Sequence, residues 1–366
     1  FVSQPAAAVL PLEAGAAPRR LSVIIANYNY ARYLGEAIAS ALDLDWPDVE
    51  VVVVDNASTD NSREVITGFG ERIRAIFHPE NRGNLESCNT GFAASTGDIV
   101  YFLDADDIVE PQMMREVTAA WSPRLSKVQF QVRIIDGAGA ATGAFFPQYH
   151  VVHSPAELRR MACTIGNYAG PNGPGNVYAR WYLERVFPLK PVAGPYSDSC
   201  MIAAAPFLGD VATLPRPLAR YRVHGANSYA MQAMDASRFA RMLEMAIDLF
   251  AYSRRIAGSV GIAIEPQAID RSLHTLAVRV ACLRLAPQLH PVPGDTRGHL
   301  AGLLLKSIGY AQGMRWRHKA TAVAWGLATL AAPRPWAERL VSWRFAPSTR
   351  PRLLGRALQA TGVLRK

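Results

Sequence analysis

Residues 97–107 read GDIVYFLDADD, a short apolar run that stops on three acids, Asp104, Asp106 and Asp107. An apolar segment of this length, bounded by Gly and by carboxylates, has the pattern of a parallel strand covered on both faces. Ligands of open α/β sheets bind at the carboxyl ends of such strands. Three carboxylates packed together repel one another unless a cation sits among them, and Mg2+ or Mn2+ is commonly held by one or two carboxylates plus substrate phosphates. The run points to metal-assisted chemistry on a nucleotide diphosphate. The competing reading is a solvated acidic turn ahead of a helix starting near Pro111, where acids also suit the helix dipole.

Upstream, residues 21–27 (LSVIIAN) and 49–55 (VEVVVVD) are two further apolar, β-branched runs, and residues 33–42 between them have the spacing of an amphipathic helix. Strand, helix, strand at this spacing is a right-handed βαβ unit and implies a parallel sheet. The second run ends in DNASTDNS, where Ser58 and Asp60 are placed to cap a helix through residues 65–69. A third strand over 73–78 leads into PENRGN, and residues 85–95 return as a helix. Polar clusters thus follow strands one to four on one edge. The expectation is an α/β, Rossmann-like, mostly parallel sheet flanked by helices, with a nucleotide site at that edge.

These motifs, in this order, resemble family-2 glycosyltransferases of the GT-A fold: SVIIANYN, VVVVDNASTDNS, ENRGN and FLDADD, then GPNGPGNVYARWYLERVFP, YSDSCMIAAAPFLG and PLARYRVHGANS. The resemblance spans roughly residues 20–230. It divides the chain into a lead-in over 1–18, a catalytic domain over 19–230 and a mainly helical region over 231–366.

The resemblance implies an inverting transfer of a sugar from a nucleotide-sugar, with Mg2+ or Mn2+ bound by Asp104, Asp106 and His224, and with Asp104 also holding the ribose; Asp107 is a further candidate. Asp198, in PYSDSC, matches the acid that takes the acceptor proton, although Ser197 stands where a Glu often precedes it; as a bare sequence feature Asp198 is equally a helix cap. Ala26 and Tyr28 match positions beside the nucleobase, and Asp55 a carboxylate that accepts the N3 proton of uracil or thymine. Arg82 reaches base or diphosphate. Gly173, Gly175 and Asn176 line the donor sugar and acceptor, and Gly83 supplies a positive φ or a close approach.

Composition bounds the rest. Apolar residues make up 50% and charged residues 19%, a globular balance. Cys88, Cys163, Cys200 and Cys282 lie far apart with no CxxC pair and read as reduced thiols in a cytosolic protein. Residues 1–18, rich in Ala, Pro and Gly and starting without Met, read as a flexible lead-in. The net charge of +9 sits at one end: from Met314 to Lys366 eleven Lys or Arg face Glu338 alone, which leaves the preceding residues at −1. Within that tail the weakly apolar segment 320–332 is too short to span a bilayer. Its flanking Trp316, Arg317, Lys319, Arg334, Trp336, Arg339 and Trp343 read as an element lying on anionic lipid, or else as a helical domain with a solvated Arg face. No nucleic-acid module accompanies the basic run, so nucleic acid is not an expected partner.

The expected partners are a nucleotide-sugar donor, a glycan or lipid-linked acceptor and the inner membrane surface, on the cytoplasmic face of a GC-rich bacterium building surface polysaccharide. Two rivals share much of the pattern: a polyprenyl-phosphate glycosyltransferase, and a non-catalytic GT-A-fold carbohydrate-binding or scaffold protein. A sugar-nucleotide pyrophosphorylase is excluded by NYNYARYL standing where its Gly-rich basic loop belongs.

Overall fold

The computed structural model describes residues 20–171, 173–190, 197–224, 236–310 and 314–346. The expected lead-in over 1–18, the GANS end of the seventh motif and the last basic residues from 350 onward lie outside the described residues. The described chain divides into two compact units, one of residues 20–159, 169–223 and 255–262, the other of the remainder, beginning with residues 160–168 and including His224.

The first unit opens with β1 (Leu21–Asn27), α1 (Ala31–Leu42), β2 (Val49–Asp55), α2 (Ser62–Gly68), β3 (Arg74–Phe77), α3 (Asn84–Ala94) and β4 (Ile99–Asp104). It continues with β5 (Ile108–Val109), α4 (Met113–Ala119), β6 (Leu125–Asp136), β7 (Ala141–Phe146), α5 (Pro155–Ile165), β8 (Asn176–Ala179), α6 (Arg180–Leu183), α7 (Ser197–Leu208) and β9 (Asp210–Val223). The expected βαβ repeats are all present, with ends differing by a few residues. The cap of α2 differs: Asn61 occupies the N-cap without a side-chain bond, while Asp60 accepts the amides of Ser62 (3.0 Å) and Ala31 (2.9 Å).

The strands form one sheet in the order β3-β2-β1-β4-β8-β6-β9-β5, with β7 on β6. The four N-terminal strands are mutually parallel; β8 runs antiparallel to both β4 and β6, and β9 parallel to β6. The parallel half is therefore as expected, and the other half is mixed. Alternating side chains of β1, β2 and β4 (Val23, Ile25, Val51, Val53, Tyr101, Leu103) join Leu34, Ile38 and Ala41 of α1 in one core, the 3–4 spacing of α1 presenting a single apolar face. At the amino end of the parallel strands Glu50 accepts bonds from Ser22 Oγ and from the amides of Thr96 and Gly97, which locks β4 against β1 and β2. Register then carries through to the other end, where Asn27 pairs with Asp55, Asp55 with Phe77 and Ala26 with Asp104.

The second unit is helical: α8 (Ala236–Ser259, its last turn within the first unit), α9 (Leu273–Leu285), α10 (Arg297–Ser307), α11 (Trp316–Ala331) and α12 (Arg334–Phe345). Helix α9 is buried nearly all round, packing Leu276 and Val280 with Leu300, Leu304, Val323 and Leu330, and Cys282 with Phe239 and Val341. Its two buried arginines are compensated: Arg279 pairs with Asp270 and Asp295, and Arg284 donates to the Thr329 and Ala332 carbonyls at the end of α11. One face of the segment 320–332, with Ala322, Val323 and Leu330, packs into this interior, and Trp325 donates Nε1–H to the Leu340 carbonyl at 2.8 Å. Exposed large apolar residues of the unit include Trp316 (71% exposed) and Trp336 (53%), along with Leu289, Leu305, Ile308, Tyr310 and Met314. Among the described residues no helix is long and apolar enough to cross a membrane, and the four cysteines are free thiols.

Candidate active site

The turns after β1 and β2 are laced into one platform. Asp55 is buried; its Oδ1 accepts Asn27 Nδ2 (2.8 Å) and Ser58 Oγ (2.6 Å), and its Oδ2 accepts the Ser58 amide (3.1 Å). Asn29 donates its amide to Ser58 Oγ (2.9 Å) and accepts the Thr59 amide at Oδ1 (2.7 Å). Asn29 and Ala57 both hold left-handed backbone, φ +60° and +62°. Asn tolerates this, whereas for Ala it costs about 1–2 kcal/mol, so the hydrogen-bond lattice must over-determine the turn. Ala26 and the exposed Tyr28 flank the platform.

Asn56 extends the lattice to the third strand. Its amide Nδ2 donates to Asn81 Oδ1 (2.8 Å), its Oδ1 accepts the Arg82 amide (2.9 Å) and meets His78 Nδ1 (3.1 Å). Gly83 closes this loop at φ +83°, a conformation only Gly adopts freely. The Arg82 guanidinium lies beside Glu80 at 3.4 Å, both well exposed.

The acidic motif separates into distinct environments. Asp104, the last residue of β4, is open to solvent yet surrounded by protein, as in a cleft; burial, then the charges of Asp106 and Asp198, push its pKa up to about 8. Asp106 is buried in the turn that follows. Asp107 is fully buried and accepts the Arg222 amide at Oδ1 (2.8 Å), leaving Oδ2 without a partner. Arg222, 2% exposed, donates Nε–H to the Asp106 carbonyl (2.8 Å), pairs with Glu36 and lies over the Tyr33 ring at 4.9 Å. Asp107 thus fastens β9 to the turn. Tyr30 is held protonated beside these acids, its pKa pushed up to about 12 by burial and by Asp106, Asp104 and Asp107.

The Gly-rich loop faces them. Gly173 has φ +56° and donates its amide to Asp198 Oδ2 at 3.0 Å, while a Cβ placed on it would lie 3.1 Å from Asp104 Oδ2. It is the spacer between the two carboxylates. Gly175 is required by the loop's own packing, since a Cβ there would come 2.5 Å from Pro171. Asn176 is buried and ties the loop by donating Nδ2 to the Pro171 and Gly173 carbonyls (both 3.1 Å). Behind it Lys127, wholly buried on β6, donates Nζ to Asn176 Oδ1 at 2.9 Å. Burial drives the lysine pKa well below its usual value, and the Asp198 charge pulls it back. Asp198, in the first turn of α7, has its own pKa raised by burial against the opposing bonds from Gly173 and Ser199. From the other strand, Tyr101 of β4 holds the loop through its hydroxyl, which donates to the Pro174 carbonyl at 2.9 Å.

Oxygen donors gathered where burial, and then the charges of neighbouring carboxylates, raise a carboxyl pKa suit a hard divalent cation. Among the described residues no three His, Cys, Asp or Glu side chains form a ready metal cage. His224, half-buried, directly follows β9.

Residues 22–160 match the family model described as glycosyl transferase family 2. Over 225 residues the chain is 40% identical to an uncharacterized glycosyltransferase, alr2836, of Nostoc sp., covering 60% of this chain and 69% of that one. The chain belongs to glycosyl transferase family 2. Over 90 residues this glycosyltransferase is also 34% identical to the putative teichuronic acid biosynthesis glycosyltransferase TuaG of Bacillus subtilis, covering 24% of this chain and 36% of TuaG. Among solved structures, S. aureus TarS 1-349 in complex with UDP-GlcNAc superposes with a TM-score of 0.52 at 14% identity, over 87% of this chain and 92% of that one. The fold is GT-A.

The glycosyltransferase brings Asp104, Asp106, Asp198 and Gly173 together, and Ala26 beside Asp104 through register. Sequence reading passed over Asn27, Asn56, Tyr30, Lys127 and Arg222. Asn27 and Tyr30 lay within the quoted SVIIANYN motif and its continuation, a polar cluster directly after a buried strand. Lys127 had one signal: a charge inside the apolar alternation of KVQFQV.

Proposed function

We propose that the protein is a metal-dependent, inverting glycosyltransferase that moves a sugar from a nucleotide-sugar, of UDP or dTDP type, to a hydroxyl of a glycan or lipid-linked acceptor in bacterial surface polysaccharide synthesis. The observation that carries this reading is the placement of Asp104 and Asp198 on either side of Gly173. In this reading Asp104 serves the diphosphate-bound cation and Asp198 the attacking hydroxyl. Asp198 takes that proton as the hydroxyl oxygen attacks the anomeric carbon from the face opposite the diphosphate. The raised pKa of Asp198 brings its basicity closer to working pH.

Asp104 and Asp106, with His224 as the family pattern implies, would hold Mg2+ or Mn2+. When bound, the ion neutralises charge developing on the diphosphate. Asp55 keeps one further acceptor position on Oδ2 for the N3 proton of the base, with Ala26 and Tyr28 beside the ring and Arg82 at base or diphosphate. Gly173, Gly175 and Asn176 shape the sugar side. The UDP-GlcNAc in the TarS complex supports a nucleotide-sugar donor, and TuaG supports a cell-surface polymer as product. A cytoplasmic enzyme resting on the inner membrane surface is supported by Trp316 and Trp336, each exposed and each under an arginine, Arg317 at 5.7 Å and Arg339 at 5.0 Å.

The test is a thermal-shift screen of UDP-, dTDP- and GDP-sugars with and without Mn2+. A ligand that binds only the folded chain raises the midpoint according to its affinity. Metal-dependent stabilisation by one nucleotide class is expected; no stabilisation by any donor at millimolar concentration contradicts the reading.

A further inference from the structure

Within the helical unit, a depression of about 570 Å3 is lined by Arg284, Arg297 and Arg334 together with Leu283, Pro287 and Thr296, and no carboxylate is among its lining residues. Arg297 and Arg334 are the first residues of α10 and α12, and neither first turn contains an acid. The amino end of a helix carries partial positive charge, so a cation there is unfavourable by a few tenths of a kcal/mol, whereas an anion is welcome. Two helices of eleven and twelve residues thus bring both their positive ends and an arginine to one cavity. The third arginine, Arg284, is 8% exposed, and both others are close enough to help burial lower its pKa. Arg284 is compensated by the Thr329 and Ala332 carbonyls at the end of α11, which also borders the cavity, whereas Arg334 has an exposed pair with Glu338 at 3.2 Å.

We infer that this cavity is a binding site for a phosphate group, separate from the donor site. Guanidinium forks match phosphate geometry, so a dianion relieves the repulsion that the fold concentrates among these arginines. The volume falls in the range of small-molecule sites and exceeds a bare phosphate, so the ligand is a phosphate ester with its substituent inside the cavity. Such a group comes from a soluble phosphomonoester or from a lipid headgroup at the membrane surface.

Calorimetry on the full chain at low ionic strength, titrating inorganic phosphate and then glycerol 3-phosphate, tests the site. Arg297→Gln with Arg334→Gln changes two exposed side chains and is expected to weaken binding at least tenfold; Glu338→Gln, which frees Arg334, is expected to tighten it several-fold. Phosphate taken up at the donor site persists in the double variant and so is separated. Pelleting with phosphatidylcholine vesicles, with and without phosphatidic acid, assigns the source: loss of phosphatidic acid-dependent pelleting in the double variant identifies a lipid headgroup, and unchanged pelleting beside lost glycerol 3-phosphate binding identifies a soluble ester. Equal phosphate affinity of the wild type and the folded double variant, absence of binding by both included, overturns the proposal.

Discussion

The backbone amide of Gly173 donates to Asp198 Oδ2 at 3.0 Å, and the same residue approaches Asp104 so closely that a Cβ would stand 3.1 Å from its Oδ2. One glycine therefore sets the distance between the acid that ends β4 and the acid that opens α7.

Gly173→Ala adds a methyl group at φ +56° and against Asp104. The left-handed backbone costs about 1–2 kcal/mol for Ala. Loss of at least tenfold in kcat, with a fall of a few degrees in Tm, is expected. Wild-type kcat in this variant would show that the spacing of the two carboxylates is not critical.

Lys127→Met keeps the length of the side chain and removes the charge behind Asn176. The loop loses a donor at Asn176 Oδ1, and Asp198 loses a neighbouring cation that favours its ionised form. The acid limb of the kcat/KM profile should move to higher pH and kcat should fall, while the KM for donor changes little. A purely structural lysine would lower Tm without moving the limb.

The acidic turn gives a pH dependence with a definite sign. Asp104 ionises at about 8 in the folded chain against an ordinary 3.8. The stability gained by holding it protonated is complete below the ordinary value and is lost as pH rises through about 8. Asp107, also raised by burial and by Asp106 and Asp104, acts in the same direction. Without divalent ions, Tm should fall between about pH 4 and pH 8, less steeply in Asp104→Asn. Thermal denaturation across that range, with and without Mn2+, measures the slope; a Tm that rises with pH contradicts the assignment.

Arg222→Met removes the bond to the Asp106 carbonyl, the pair with Glu36 and the cation over Tyr33 in one step. Breaking one partner of a buried charged network typically costs about 3–5 kcal/mol. Because Glu36 is exposed, the lower end is expected, read as the shift in urea midpoint.

The parallel half of the sheet was legible because each strand is a short β-branched run stopped by polar residues, as at Asn27, Asp55 and Asp104. Period and punctuation are properties of sequence alone. The antiparallel half was not: β8 is four residues, NVYA, following a Gly-rich loop, too short to show a period. Asp106 and Asp107 are interchangeable in sequence, and only the turn shows that the Arg222 amide bonds to Asp107. Lys127 and Arg222 were hidden for the opposite reason, since long cations in strands normally snorkel to solvent. Here each is buried against partners far away in the chain. In residues 320–332 the face that packs on α9 and α10, through Ala322, Val323 and Leu330, is not marked off in a sequence so rich in Ala.

The most direct test is Asp198→Asn, which keeps size and the acceptor for the Gly173 amide while removing the base. Transfer should fall by about 10²–10⁴-fold, with donor affinity measured by calorimetry unchanged. In the wild type the acid limb of kcat should lie above the ordinary carboxylate range, because burial raises the Asp198 pKa. Undiminished turnover in Asp198→Asn would remove this residue as the base and with it the proposed mechanism.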